Sequence, residues 1–315
     1  MGLKMSATIS SPRQLAWARF RRDSLGRVSL GVTVAVFLLA LTAPLINSLV
    51  GVDPYFFYKD SLDPDTAGLP VGIGGISAEH PFGVEPGTGR DILARLLLGM
   101  RVSLFISTSA TLITMTIGVV LGLIAGYFRG RVDKVISTFI DLMLAFPILL
   151  LILALSNAMT QRLVSLGVPQ GNPARILYII LVLSLFGWPI IARVIRGQVM
   201  SLREKEFVEA SIAMGAGPFR IMFTQILPNL WAPIIIYASL TLPSYIATEA
   251  TLAFLGVGVL PPTPTWGAML ADSVSYFRVV PSYMLFPGLT LFAVVLSFNL
   301  LGDAIRDALD PKGSR

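Results

Sequence analysis

Six long apolar segments dominate the pattern of hydrophobic and polar residues along this chain. They cover roughly residues 28–50, 103–127, 135–158, 176–194, 232–254 and 283–301. Each is close to the ~20 residues that a helix needs to cross a hydrocarbon core of ~30 Å. Their apolar residues run continuously instead of alternating, which favours helices over the strands of a membrane β-barrel. The pattern therefore predicts an all-α membrane protein with six transmembrane helices.

Shorter patterns add detail to this prediction. Between the first two segments, Ile92, Leu96 and Met100 belong to an apolar stripe at helical spacing, which predicts a short helix on the surface.

Three glycines in the second segment, Gly118, Gly122 and Gly126, are spaced four apart and let another helix approach closely. Ordinary tight packing is favoured there, and a contact that slides during transport remains open. Pro147 predicts a kink in the third segment because proline lacks a backbone donor.

Composition narrows the possible chemistry. Charged residues make up 13% of the chain, about half of what a soluble domain carries. The chain has no Cys and a single His, His80, so we expect no metal site. It contains no Walker-type G-x-x-x-x-G-K-[ST] motif and no G-x-S-x-G or H-E-x-x-H motif. We therefore expect no catalytic residues and no cofactor bound by this chain.

The placement of the basic residues predicts the topology. With the N-terminus in the cytoplasm, 17 of the 24 Lys and Arg residues lie on the cytoplasmic side. The positive-inside rule therefore places both termini there. This placement of basic residues also accounts for the net charge of +6, so the charge does not call for a nucleic-acid partner. The resulting organisation is a tail (1–27), a first transmembrane helix (28–50), an external loop with its surface helix (51–100), a five-helix core (101–303) and a second tail (304–315).

Two acidic residues lie within or near the predicted spans. Asp141 belongs to the third and Glu249 to the fifth. Ionisable groups at membrane depth are costly and usually face the bundle interior or water. Structural hydrogen bonding, a place on the translocation path and proton coupling are the three alternatives. The sequence contains no chain of such groups in register, which proton coupling would need.

The cytoplasmic loop 196–229 is long and partly apolar. Its residues predict a helix over 206–214, with Phe207, Val208 and Ile212 on one side. Gly215 then ends that helix, and Pro218 starts another one in its first turn. The alternative is an amphipathic loop that lies on lipid. A folded element of this kind is a candidate for contact with a soluble partner.

This loop resembles the EAA loop of ABC importer permeases, whose pattern is E-A-A-x3-G-x9-I-x-L-P. The matching residues are Glu209, Ala210, Gly215, Leu227 and Pro228. Ser211 replaces the second Ala, and Gln225 replaces Ile. The stretches 80–83, 89–96, 101–104, 249–258, 261–267 and 299–311 resemble dipeptide and oligopeptide permeases, in particular the C-type subunit of that permease pair.

The resemblance implies a type I ABC importer permease in a bacterial plasma membrane, with no enzymatic activity of its own. It implies that the following residues couple the chain to an ATPase: Glu209, Ala210, Ser211, Gly215, Ala216, Gly217 and Pro218. The implied partners are a second permease subunit, two ATPase subunits or domains that bind ATP and Mg²⁺, an external binding protein and the lipid bilayer. The implied cargo is a di- or oligopeptide. A nickel chelate or another small solute remains an alternative, and an ion-coupled secondary carrier is the alternative of another class.

Overall fold

The computed structural model describes residues 12–309. Eleven α-helices form most of this range: α1 Pro12–Arg22, α2 Ser24–Val50, α3 Ile92–Phe128, α4 Gly130–Ala145, α5 Ile148–Ser165, α6 Asn172–Arg203, α7 Glu206–Ala213, α8 Pro218–Arg220, α9 Trp231–Phe254, α10 Trp266–Ser273 and α11 Pro281–Leu309. A π-helix, Ile221–Ile226, and a 3₁₀ turn, Leu227–Asn229, join α8 to α9. The segment between α2 and α3 contains two 3₁₀ turns, Lys59–Ser61 and Pro64–Thr66, and two short antiparallel strands, β1 Leu62–Asp63 and β2 Leu69–Pro70.

Within the described range, five helices are long and apolar enough to span a membrane: α2, α3, α5, α6 and α11. A sixth span results if α9 is joined to the preceding Pro218–Asn229 segment, which meets it at 64°. The all-α membrane class is therefore confirmed, with five or six spans depending on that bent pair.

The centre of the bundle is the pairing of α3 with α6. At Gly118, an added Cβ atom would lie 2.6 Å from the Cβ of Ile191. At Gly122 it would lie 2.7 Å from the carbonyl oxygen of Ala192, and at Gly126 2.6 Å from the Cβ of Val199. Ordinary carbon contacts begin near 3.4 Å, so only glycine permits this approach of the two helices along three successive turns.

The predicted surface helix before the second span is wrong as a separate element. Asp91 caps α3 by accepting a hydrogen bond from the backbone N–H of Ala94 at 2.7 Å, and α3 then runs without interruption to Phe128. No proline breaks these 37 residues, which extend for about 55 Å at 1.5 Å per residue. Ile92, Leu96 and Met100 are buried in one apolar cluster with residues of α2, α9, α10 and α11, so the apolar stripe belongs to the core.

The predicted third span is also interrupted. α4 ends at Ala145 and α5 begins at Ile148, because Phe146 takes an extended conformation with ψ 139° before Pro147. A residue that precedes proline is sterically disfavoured in the helical region. Only α5 of this pair has the length and hydropathy of a span. The sequence therefore located the break correctly but treated two helices as one.

Other predicted boundaries shift as well. α6 continues to Arg203, so the loop predicted from residue 196 begins eight residues later than expected. α11 continues to Leu309, past the predicted end of the core at 303. The predicted N-terminal tail contains α1, and α2 begins at Ser24. The remaining residues of both predicted tails, 1–11 and 310–315, lie outside the described residues.

A buried ion cluster attaches the segment between α2 and α3 to the bundle. Glu85 accepts hydrogen bonds from Arg95 at 2.5 Å, Arg90 at 2.8 Å and the hydroxyl of Tyr283 at 3.2 Å. Arg95 also donates to the carbonyl of Pro262 at 3.0 Å. Because both charges of the Glu85–Arg95 pair are 2% exposed, their pairing and these additional hydrogen bonds offset the cost of burial.

Candidate functional site

The segment that follows α6 is built as helix, glycine turn and helix. Glu206 and Glu209 lie in the first turn of α7, where negative charge interacts favourably with the helix dipole. After α7, Gly215 has φ +82°, the left-handed conformation that glycine adopts at least cost. Pro218 then occupies the first turn of α8, as predicted. We call residues 206–229 the coupling segment, after the role that the sequence resemblance implies for it.

The inner face of the coupling segment packs on the bundle. Val208, Ile221, Met222 and Ile226 are buried in one apolar cluster. The same cluster contains Met115, Leu123 and Tyr127 of α3, Ile191, Ile195 and Val199 of α6, and the partly buried Ile234, Tyr237 and Ala238 of α9. The coupling segment therefore shares an apolar core with α3 and α6, the two helices that the glycine stripe brings together.

The outer face of the coupling segment is exposed and partly apolar. Met214 is 80% exposed and Phe219 71% exposed, and Phe207 and Ile212 are also exposed. Glu209 is exposed beside them, and within residues 12–309 its carboxylate makes no hydrogen bond or ion pair. A patch of apolar side chains around an unpaired charge is typical of a protein interaction surface.

The predicted coupling residues divide between the two faces. Ser211 is 5% exposed, and its hydroxyl donates to the carbonyl of Phe207 at 2.9 Å, so it faces the bundle. Ala216 is half-buried, whereas the other predicted coupling residues are exposed: Glu209, Ala210, Gly215, Gly217 and Pro218. Of Phe207, Val208 and Ile212, which the sequence predicts on one side of the helix, only Val208 is buried.

Two ion pairs link α6 and the residue that follows it to α4 and to the turn that precedes α4. The guanidinium of Arg196 donates to both oxygens of Asp133, including a bond of 2.8 Å from Nη2. The hydrogen bond from Arg196 lowers the pKa of Asp133 below its ordinary value of 3.8. Arg129, between α3 and α4, donates to Glu204 at 2.6 Å. Sequence reasoning used these arginines only as topology signals and missed their pairing.

The two acidic candidates for the translocation path lie in different surroundings. Asp141 accepts from Arg193 of α6 at 2.5 Å, and both side chains are exposed. Glu249 is fully buried and accepts from the hydroxyl of Ser103 at 2.9 Å. That hydroxyl lies 3.4 Å from the backbone nitrogen of Trp266, the first residue of α10. No hydrogen bond or ion pair joins Asp141 to Glu249, so the structure does not bring the two together.

A bundle of five or six apolar spans defines the class as a polytopic membrane protein. The family described as "Binding-protein-dependent transport system inner membrane component" matches residues 118–315. The "N-terminal TM domain of oligopeptide transport permease C" matches residues 11–66. The chain belongs to this family of importer permeases.

Similar proteins cover nearly the whole chain. A dipeptide transport system permease protein of Alkalihalophilus pseudofirmus is 38% identical over 97% of this chain and 91% of its own length. A glutathione transport system permease protein of Pectobacterium atrosepticum is 36% identical over 97% of this chain and 93% of its own length. A chain of the inward-facing MetNI methionine ABC transporter aligns with TM-score 0.55 and 20% identity, covering 69% of this chain and 96% of that chain. This last similarity shows the type I importer permease fold.

Proposed function

We propose that this chain receives conformational force from an ABC ATPase through its coupling segment and uses it to import di- or oligopeptides. The observation that carries the proposal is the two-faced construction of α7. Val208 is buried in the bundle, while Glu209 beside it is exposed and unpaired within the described range. A helix with one face packed on the central helix pair and the other face open is suited to transmitting a movement.

The proposed transmission route follows the packing. ATP binding brings the two ATPases together, and the coupling segment, docked in one of them, moves with it. Val208 and Met222 pass the displacement to the ends of α3 and α6. The Arg196–Asp133 pair carries it to α4. Packed interiors transmit such displacements because they are close to incompressible.

The proposed arrangement extends to partners and topology. Both termini and the coupling segment face the cytoplasm of a bacterium, in accordance with the distribution of basic residues. A second permease subunit completes the pathway, an external binding protein delivers the cargo, and two separate ATPase subunits or domains bind ATP and Mg²⁺. This chain contributes no catalytic group to ATP hydrolysis and holds no metal or cofactor.

The proposal of a peptide cargo is supported by the names of the similar proteins. Proteins named for dipeptide, oligopeptide and glutathione transport match over almost the whole chain, and all three cargoes are peptides. Asp141 and Arg193, which are exposed in the isolated chain, are our candidates for the path along which such zwitterionic cargo moves. For Glu249 we propose a structural role, in which it holds α10 against α3.

The test is ATP-driven uptake of labelled dipeptide by the reconstituted importer. Glu209→Lys places a cation where the proposal needs an anion, so we expect uptake to fall to the level without ATP while the complex remains in the membrane. Glu79→Lys, which reverses an exposed charge before α3, is the matched control and should transport normally. Normal uptake by Glu209→Lys would refute the coupling role. Uptake of a nickel chelate but not of peptides would refute the cargo alone.

A further inference from the structure

A groove beside the N-terminal helix α1 is not used by the proposed transport mechanism. It has a volume of about 410 Å³, within the range of ligand pockets. Trp17 and Phe20 of α1 line one wall, Trp231 of α9 lines another, and Ile305 and Leu309 of α11 line a third. The lining is almost entirely apolar. A water-filled groove of this kind is unfavourable, so an apolar occupant is expected.

The groove lies at a defined level of the bundle. α2 begins there, α9 begins there at Trp231, and α11 ends there at Leu309. The coupling segment immediately precedes α9, so the groove and the coupling segment lie at the same end of the spans. With the proposed topology, which this inference adopts, that end is the cytoplasmic surface of the membrane.

Basic residues follow Trp17 along α1 and into the start of α2. Arg21 lies 5.3 Å from the ring of Trp17 in a cation–π contact. Arg22 and Arg27 are exposed and form no ion pair among residues 12–309. Trp17 itself is 54% exposed. An exposed Trp next to arginines at the end of a span is the arrangement found at the boundary between lipid headgroups and acyl chains.

We propose that this groove binds one phospholipid with an anionic headgroup. An acyl chain occupies the apolar lining, and the headgroup phosphate lies among Arg21, Arg22 and Arg27. The complementarity of charge selects an anionic lipid over a zwitterionic one, because each basic residue near the surface adds attraction for negative headgroups. The bound lipid would fasten α1 to α9 and α11, next to the coupling segment.

The chain's own tryptophans provide the assay. It has four, of which Trp188 and Trp266 are 3% and 0% exposed, whereas Trp17 and Trp231 line the groove. The full chain is reconstituted in nanodiscs of phosphatidylcholine that contain a small fraction of lipid brominated on its acyl chains, which quenches Trp fluorescence on contact. Brominated phosphatidylglycerol should quench more strongly than brominated phosphatidylcholine at the same fraction.

The variants separate a specific site from general lipid contact. In Arg21→Gln/Arg22→Gln, the preference for phosphatidylglycerol should fall on the order of tenfold. Arg162→Gln/Arg278→Gln removes the same charge from exposed positions at the other end of the bundle and should retain the preference. Trp17→Phe should reduce the quenched signal even if the arginine variant fails to fold.

Three outcomes would overturn the proposal. Equal quenching by the two brominated lipids would show ordinary boundary lipid. Quenching that appears only after removal of residues 310–315 would show that the C-terminal residues fill the groove. Quenching that disappears when the second permease subunit is added would show that the groove is a protein interface. None of these outcomes depends on transport, so the proposed function is tested separately.

Discussion

Gly122 provides the sharpest test of the central helix pair. In Gly122→Ala, the new Cβ atom lies 2.7 Å from the carbonyl oxygen of Ala192 and 2.9 Å from the Cβ of Ile195. Contact at the ordinary 3.4 Å requires α3 and α6 to separate locally by about 0.7 Å. Both neighbours are fixed by the backbone of α6, so neither side chain can rotate away. Overpacking of this kind costs about 1–3 kcal/mol.

The matched control is Gly197→Ala on α6 itself. An added Cβ atom there meets nothing within 4 Å, and alanine is intrinsically favoured over glycine in a helix by up to about 1 kcal/mol. We therefore expect the thermal midpoint of the purified permease to fall for Gly122→Ala and to stay or rise for Gly197→Ala. Uptake driven by ATP should fall only for Gly122→Ala, because the coupling segment packs on the displaced helices. Equal midpoints for the two variants would refute the close-packing argument.

Three further predictions concern the turn at Gly215, the buried ion cluster around Glu85 and the Arg196–Asp133 pair. Gly215→Ala should destabilise the turn by about 1–2 kcal/mol, because residue 215 has a positive φ, and should reduce ATP-driven uptake. Gly217→Ala should do neither, because residue 217 has φ −71°. Equal uptake by the two variants would contradict the role of the positive φ at the turn. Glu85→Ala should lower the thermal midpoint far more than Glu79→Ala, because removing one partner of a buried ion pair costs about 3–5 kcal/mol. Similar midpoints for the two variants would refute the stabilising role of the ion cluster around Glu85. The pKa of Asp133 is lowered, so the stabilisation of the fold by the Arg196–Asp133 pair is present above pH 3.8 and is lost as the pH falls further. Thermal midpoints measured from pH 7 to pH 3 should therefore decline less in Asp133→Asn than in the unaltered protein. Parallel declines would contradict a stabilising role of this pair.

The sequence predicted the spans well because lipid imposes a simple rule. A spanning helix must satisfy its backbone internally and be apolar for about 20 residues, and that requirement is visible without neighbours. Gly215 and Pro218 were also predictable, because a positive φ and a helix first turn are local preferences of these residue types.

What the sequence did not predict depends on contacts distant along the chain. The stripe that begins at Ile92 has the same periodicity whether it faces water or a protein core. Its burial depends on apolar residues of α2, α9, α10 and α11, which are distant in the sequence. The pairing of Asp133 with Arg196 joins residues 63 positions apart. Helix rotation likewise determines that Ser211 faces the bundle and Ile212 faces outward. A single sequence does not determine that rotation.

The most direct test of the account is a cross-link from the outer face of α7. The chain has no Cys, so Met214→Cys, at a position 80% exposed, introduces a unique thiol. In the assembled importer, a short thiol-specific photo-cross-linker at this position should join the chain to the ATPase subunit. Val208→Cys, at a fully buried position of the same helix, should give no such product. Cross-linking of Met214→Cys to lipid alone, with none to the ATPase, would contradict the coupling role.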